Sequence, residues 1–384
     1  MWIAFFAWAW RLPAVVWARV IPGFDLAEAA FGASSIGRIR LDMLLFLALL
    51  TALTAGGLVI LRNWDRLQET KAQQRICSIA VALGVFFVLA YCEDMYNVVQ
   101  PWYNPQVIMT NPSSVPVFGQ RLLFIWPAML LKHLMPGIGY ITAFIVFQLV
   151  ALALAVYLIG EWSAIFIGRP LQFLGQIMLA VMLGATFNGF LGHDFGVVAT
   201  YTLCFLLLYK RQYVFYVPAF CIGVLNHQNI LVLIPTALAV MWGRERRSTM
   251  LWVAALTLAG YFSIQFILNL TVPIPATHEI KVWWNIRQIV ELKKTLVMGQ
   301  LALLPWYVAA LATWKQADPF LKRASILMPM QWGVYFLFGQ LNEVRLFNGF
   351  LPVLIGIFLC YIQSYTAVTQ TNSSREQRET LQSF

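Results

Sequence analysis

Long apolar runs recur along this chain from residue 41 to residue 366. A helix needs roughly 20 apolar residues to cross about 30 Å of hydrocarbon, so each run predicts one membrane crossing. The pattern therefore predicts an all-α fold, a polytopic bundle of transmembrane helices with about nine full spans. We place these spans at residues 41–61, 76–92, 138–160, 172–190, 195–209, 250–272, 296–314, 324–341 and 346–366.

Residues 213–242 break this pattern. Two apolar runs of about 14 residues each are interrupted there by Asn226-His227-Gln228-Asn229. Polar backbone at membrane depth is tolerated only where protein or water surrounds it. We therefore expect a short helical hairpin whose polar tip lines a cavity, which raises the number of crossings to about 11.

The two ends of the chain differ from its apolar middle. Residues 1–22 contain four tryptophans but place Arg11 at their centre, where an arginine costs about 2.5–3.5 kcal/mol in a membrane span. This favours an N-terminal segment that lies in the membrane interface, with an extra transmembrane segment as the alternative. The predicted domains are the N-terminal segment 1–40, a transmembrane helical domain 41–366 with outer loops 93–120 and 273–295, and a polar cytoplasmic tail 367–384.

The composition favours a membrane protein. Of the 384 residues, 60% are hydrophobic and 11% are charged, against about 25% charged residues in an ordinary soluble domain. This excludes a disordered chain and a soluble nucleic-acid binder, despite the net charge of +10. The five cysteines form no CxxC pair and the four histidines no i, i+4 pair, so the sequence requires no disulfide framework, metal or cofactor. A divalent ion held by carboxylates stays open.

The distribution of lysine and arginine predicts the orientation of the chain. The loops on one predicted side contain 15 of these residues and the loops on the other side contain 9. Because cytoplasmic loops carry the excess of positive charge, we assign the first set to the cytoplasm. This set comprises residues 62–75, 169, 210–211, 244–247, 315–323 and the tail after residue 370.

Nearly all of the unusual polar residues fall on the opposite, outward side of this topology. A one-sided collection of carboxylate, imidazole, amide and guanidinium groups at membrane depth is typical of an active site or a binding cavity. Each group also has a plainer explanation, as an interface anchor, a solvated turn or a buried ion pair, and these explanations stay open. The collection consists of Glu93, Asp94 and Tyr96; His193 and Asp194; Asn226, His227, Gln228 and Asn229; His278, Glu279, Lys281 and Arg287; and Asn342, Glu343 and Arg345.

Four short motifs follow one another over residues 90–355. They are the "R-x-L-x-P" stretch at Arg121 to Pro127, the turn with an aspartate at Gly192-His193-Asp194-Phe195, the hairpin motif at Gly223 to Asn229 with Pro235, and the "E-x-R…P" element at Glu343, Arg345 and Pro352. Their order resembles that of a group of bacterial polytopic membrane proteins, which look like members of the GT-C glycosyltransferase superfamily. One departure is clear: His227-Gln228-Asn229 stands where that group usually has Arg-Glu-Thr.

The resemblance implies a membrane glycosyltransferase, active on the outer face of a bacterial plasma membrane in polysaccharide biosynthesis for the cell envelope. It would transfer a sugar from a polyprenyl-phosphate-linked donor to a lipid or glycan acceptor. In that case Asp94 or Glu93 is the catalytic base, and Arg345, Arg121 and Lys281 bind the phosphate of the donor. The residues expected to line the cavity are His193, Asp194, Asn226, His227, Gln228, Asn229, Glu343 and Tyr96.

The implied partners are membrane lipid, the sugar donor and the acceptor, with no nucleic acid. In agreement with a lipid-linked donor, the sequence has neither a GxxxxGK[ST] nor a GxGxxG nucleotide-binding loop. Two alternatives stay open. A transporter or flippase for a lipid-linked or anionic solute would place its polar groups near the membrane midplane and often has an internal repeat, which this sequence lacks. A non-catalytic subunit of a membrane complex would have polar clusters that do not converge.

Overall fold

The part of the chain that the structure describes is helical. The computed structural model describes residues 122–137, 140–185, 193–271, 281–291, 304, 306–339 and 344–364. No strand is present among these residues, which confirms the all-α prediction for them. The α-helices are α1 (Leu122–Leu134), α2 (Tyr140–Ile167), α3 (Gln172–Ala185), α4 (His193–Tyr209), α5 (Tyr213–Asn226), α6 (Leu233–Met241), α7 (Arg247–Thr271), α8 (Val282–Val290), α9 (306–312), α10 (Pro319–Ala324), α11 (Leu327–Phe338) and α12 (351–364).

Short 3₁₀ helices connect several of these elements. They are Arg169–Leu171, Gln228–Val232, Trp314–Gln316 and Val344–Phe350.

Three helical segments are long and apolar enough to cross a membrane, namely Val146–Ile167, Arg247–Leu270 and Phe347–Ser364. They overlap the predicted spans 138–160, 250–272 and 346–366. Other predicted spans correspond to shorter apolar helices: α3 over 172–190 and α4 over 195–209. The predicted spans 41–61 and 76–92, the segment 1–40, the loop 93–120 and the tail 367–384 lie outside the described residues.

Small residues allow α2 and α3 to pack closely. A Cβ atom on Gly175 would lie 1.8 Å from the Ser163 Oγ, and one on Gly160 would lie 2.6 Å from the Gln176 Nε2. The Gln176 amide donates a hydrogen bond of 3.2 Å to the Val156 carbonyl. Close approach of helix backbones through small residues is the usual packing mode inside membranes, where burial of apolar surface does not drive association.

The helical hairpin over residues 213–242 is present as α5, a 3₁₀ turn and α6. Gly223 makes its tip compact, because a Cβ at this position would lie 2.0 Å from the Ile230 Cδ1. The Tyr216 hydroxyl on α5 donates a hydrogen bond of 3.2 Å to the Leu233 carbonyl at the start of α6. The two arms of the hairpin are thus joined directly.

One end of the helix bundle collects three basic loops, residues 210–212, 242–247 and 313–325, which we call the basic end. Phe320 is buried there, with its ring 5.2 Å from that of Tyr209 and 5.9 Å from that of Trp162. The Arg323 guanidinium donates to the Trp242 carbonyl, at the C-terminal end of α6. These contacts bring together three of the loops that the sequence assigned to the same side of the membrane.

The opposite end contains a group of buried polar residues, Asp194, Thr200, Asn226, Gln331 and Asn348. We call it the polar end and define it as residues 193–201, 223–232, 331–339 and 344–350. Helix α4 begins there and runs to the basic end, and α5 returns from the basic end beside it, with Gly223 opposite Thr200.

Candidate functional site

The tip of the hairpin is an ordered polar turn. Helix α5 ends at Asn226, and the His227 amide donates a hydrogen bond of 2.8 Å to the Gly223 carbonyl. The His227 Nδ1 then accepts a hydrogen bond of 3.2 Å from the Asn229 amide and so caps the next 3₁₀ helix. A neutral imidazole that accepts at Nδ1 carries its proton on Nε2. The bond from the Asn229 amide fixes the orientation of the His227 ring at the tip.

Tyr201 connects this tip to α4. Its hydroxyl donates a hydrogen bond of 3.0 Å to the Asn229 carbonyl, and its side chain is buried. Tyr201 is the middle residue of α4, a helix of 17 residues, so it lies about 12 Å from either helix end. The polar turn thus reaches the depth of the middle of α4.

Gln331 and Gly349 lie against the same tyrosine. A Cβ atom on Gly349 would lie 2.5 Å from the Gln331 Nε2 and 2.8 Å from the Tyr201 Cε1. Only 1% of Gln331 is exposed. Its amide lies beside the Tyr201 hydroxyl, but neither of its polar atoms reaches hydrogen-bond geometry with any described residue. Tyr201 therefore lies between the hairpin tip, α11 and the 3₁₀ helix Val344–Phe350.

Asp194 and Asn226 are both buried at the polar end. Asp194 lies in the first turn of α4, where the helix dipole favours a carboxylate. Asn226 is the last residue of α5. Because α4 and α5 are antiparallel neighbours, these two side chains belong to the same end of the pair. His193 is the first residue of α4 and begins the helix at that end.

Helix α8 is attached to the C-terminal end of α11. The Asn285 Nδ2 donates to the carbonyls of Tyr335, Phe336 and Gly339 at 3.2, 2.9 and 3.0 Å. The Lys281 amide donates a hydrogen bond of 2.8 Å to the Leu337 carbonyl. These bonds satisfy carbonyl groups that a helix end leaves without intrahelical partners. Lys281 is thus placed at the end of α11 that precedes Arg345 in the chain.

Arg287 on α8 forms a salt bridge. The Arg287 Nε lies 2.5 Å from the Glu291 Oε1, one helical turn away. The hydrogen bond and the charge of Glu291 raise the pKa of the exposed Arg287 guanidinium. Lys281, the N-cap residue of this helix, stays the cation that we predict to bind phosphate.

The structure describes only part of the predicted site. It brings Asp194, Asn226, His227, Gln228 and Asn229 to the polar end and attaches Lys281 to α11. Arg345 is the second residue of the 3₁₀ helix Val344–Phe350. Glu93, Asp94, Tyr96, Arg121 and Glu343 lie outside the described residues, so their predicted roles remain predictions.

Three residues of this region were missed in the sequence. Tyr201, Asn285 and Gln331 each stand in an apolar or amphipathic helix, where a single tyrosine, asparagine or glutamine is common. Their partners lie 28 residues away for Tyr201 and at least 50 for Asn285. The one signal in the sequence was a single polar residue inside an apolar run, which predicts a hydrogen-bond partner in the protein interior.

Among the described residues, no three His, Cys, Asp or Glu side chains come together in a way that could hold a metal ion. No protein-family model, curated protein or solved structure matches this chain. The likeness to the GT-C superfamily therefore depends on the four short motifs alone.

Proposed function

We propose that this chain is an integral membrane glycosyltransferase of the GT-C type with about nine full spans and a short helical hairpin. It would act on the outer face of the plasma membrane and transfer a sugar from a polyprenyl-phosphate donor to a lipid or glycan acceptor. The observation that carries the proposal is the polar turn at residues 226–229, in which Asn226 is buried and the other three residues are half-buried. Tyr201 joins this turn to the segment that bears Arg345. A buried asparagine followed by three half-buried polar residues at the break between two apolar helices is costly for the fold, which supports a role in binding.

The chemistry needs two kinds of group. The acceptor hydroxyl attacks the anomeric carbon and loses its proton to the carboxylate of Asp94 or Glu93. The bond between the anomeric carbon and the phosphate oxygen breaks at the same time, and the lipid phosphate leaves with the bonding electrons. Arg345, Arg121 and Lys281 would stabilise the charge that develops on this phosphate.

The hairpin tip would bind the sugar in this proposal. Its Asn226 and Gln228 amides and the Nε2–H of His227 are suitable partners for sugar hydroxyl groups. The Asn229 carbonyl is already engaged by Tyr201, so it would hold the turn in place rather than contact the substrate.

A transporter of a lipid-linked or anionic solute is the second candidate. One observation favours it: the tip reaches the middle of α4, and broken helices near the membrane midplane are typical of secondary transporters. In that case the same groups would bind and release the solute without forming or breaking a covalent bond.

Reconstitution of the purified full-length chain in liposomes tests the proposal. With a polyprenyl-phosphate-linked sugar and an acceptor inside or outside the vesicles, we expect release of polyprenyl phosphate and a glycosylated acceptor. The double variant Glu93→Gln/Asp94→Asn should lose about 10²–10⁴-fold in rate, the usual contribution of a general base. The matched control is Asp65→Asn/Glu69→Gln, which makes the same changes in a loop of the opposite predicted side and should keep the wild-type rate.

Two results would contradict the proposal. Full activity of the Glu93/Asp94 variant would remove these residues as the base. Movement of the labelled lipid or solute across the bilayer, with no glycosidic bond formed, would assign the chain to the transporters.

A further inference from the structure

The basic end has a charge excess that its own acids do not neutralise. Its three loops contain eight lysines and arginines and two acids, Glu245 and Asp318, which leaves a net charge of +6. Both acids have partners inside the protein. Glu245 lies 3.4 Å from the Arg211 Nε, and Asp318 accepts a hydrogen bond of 2.7 Å from the Phe320 amide as the cap of α10. These two acids offset only two of the eight positive charges.

Helix dipoles do not account for this charge. Helices α4 and α6 end at the basic end, whereas α5 and α7 begin there. Because their dipoles point in opposite directions and largely cancel, the helix ends at this site do not by themselves favour an excess of cations.

Two arginines hold the loops in one arrangement. The Arg323 guanidinium donates to the carbonyls of Val240, in the last turn of α6, and of Trp242, the C-cap residue of that helix. The Arg244 guanidinium lies over the Phe320 ring, 5.6 Å from its centroid, in the geometry of a cation–π contact. The backbone that presents the other bases is thereby fixed before any partner binds, which lowers the entropy cost of binding.

The outer surface of this end combines exposed cations with exposed indole rings. Lys210, Arg246 and Arg247 are exposed, and 70% of Trp242 is exposed beside them. Arg247 also begins the apolar segment Arg247–Leu270, which is long enough to cross a membrane. Cations and tryptophan at the end of a membrane-spanning helix are placed at the level of lipid head groups.

We propose that the basic end is a binding surface for the phosphate groups of anionic phospholipids, with Lys210, Arg246 and Arg247 as contacting cations. This role is independent of the glycosyltransferase proposal, because it uses the opposite end of the bundle and requires no turnover.

Spin-labelled lipids test this surface directly. The full-length chain is reconstituted in phosphatidylcholine, and electron spin resonance measures the association of spin-labelled phosphatidylglycerol relative to spin-labelled phosphatidylcholine. We expect a preference for phosphatidylglycerol in the wild type. It should fall by up to about five-fold for each base removed in the variant Arg246→Gln/Arg247→Gln.

Two matched variants complete the experiment. Lys132→Gln/Arg287→Gln removes the same charge elsewhere in the chain and should keep the preference. Arg246→Lys/Arg247→Lys keeps the charge and should also keep it, which separates loss of binding from loss of folding.

Three results would overturn the proposal. The first is no preference between the two lipids in the wild type. The second is an equal loss in both charge-removing variants, which would indicate an effect of net charge alone. The third is displacement of the labelled lipid by inorganic phosphate or by a polyglutamate peptide at low concentration, which would assign the surface to a soluble anion or to an acidic protein segment.

Discussion

The two ends of the helix bundle are held together by different interactions. At the basic end, Phe320 packs among aromatic rings and Arg323 covers the end of α6. At the polar end, Tyr201 donates a hydrogen bond to the Asn229 carbonyl, Asn285 of α8 donates to carbonyls at the end of α11, and the side chain of Gln331 is buried. Burial of an aromatic ring stabilises the fold by itself. A buried polar atom, by contrast, costs free energy unless it forms a hydrogen bond. The polar end is thus the part of the fold that packing alone does not explain.

This difference predicts where the stability of the protein is concentrated. Removal of a ring at the basic end should cost more than removal of a hydrogen bond at the polar end. If the polar end contains the functional site, its variants should affect function more than they affect stability.

Phe320→Ala should produce the largest loss of stability. The ring is buried and contacts Trp162, Tyr209 and the Arg244 guanidinium, and removal of a buried phenylalanine costs about 3–5 kcal/mol. Denaturation by sodium dodecyl sulfate in mixed micelles measures the free energy of unfolding. The control is Phe262→Ala on α7, where 63% of the side chain is exposed, and a change below about 0.5 kcal/mol is expected. Equal losses in the two variants would refute the aromatic cluster as the main support of the basic end.

Gly349→Ala should produce an intermediate loss. The added Cβ would meet the Gln331 Nε2 and the Tyr201 Cε1, and overpacking of this kind costs about 1–3 kcal/mol. The same unfolding experiment measures it. Gly333→Ala on α11 is the matched control, because a Cβ there meets nothing within 4 Å. That variant should be neutral or more stable, since alanine is the better helix residue. A stable Gly349→Ala protein would mean that the polar end can rearrange.

Tyr201→Phe should produce the smallest loss of stability, about 1 kcal/mol, since it removes one hydrogen bond and leaves the ring. The loss of hydrogen-exchange protection near the hairpin tip should be larger than the loss of overall stability suggests. Hydrogen exchange measured by mass spectrometry should become faster over residues 223–232 and remain unchanged over residues 313–325. Tyr157→Phe on α2 is the control and should change neither segment. Uniform protection in both variants would contradict the role of Tyr201 in holding the tip.

Local sequence patterns predicted the helical class and the hairpin, because apolar periodicity and a polar interruption are local signals. Helix ends were less predictable. The span predicted at 138–160 continues to Ile167 as α2, since Trp162 donates to the Pro352 carbonyl, 190 residues away, and Glu161 lies 3.7 Å from Arg169. The span predicted at 324–341 is instead the 12-residue helix α11, separated from α10 by a turn at Ser325.

The candidate site was predicted only in its local parts. The turn at Asn226 to Asn229 could be identified because four polar residues follow one another between apolar runs. Tyr201, Gln331 and Asn285 could not, since their roles depend on partners from distant segments that only the fold brings near. Long-range pairing of this kind leaves no periodic trace in the sequence.

The tie between Tyr201 and the hairpin also has a consequence for how the chain is inserted during synthesis. Helix α5 has 14 residues and α6 has 9, so at 1.5 Å per residue neither arm reaches across about 30 Å of hydrocarbon. The hairpin therefore cannot enter the bilayer as two independent crossings. Helix α4 precedes it in the chain and leaves the ribosome first, with the hydroxyl group that the Asn229 carbonyl needs already in position. We expect the hairpin to enter the membrane as one unit, after α4 is already in place, and to pack along the face of α4 as it enters.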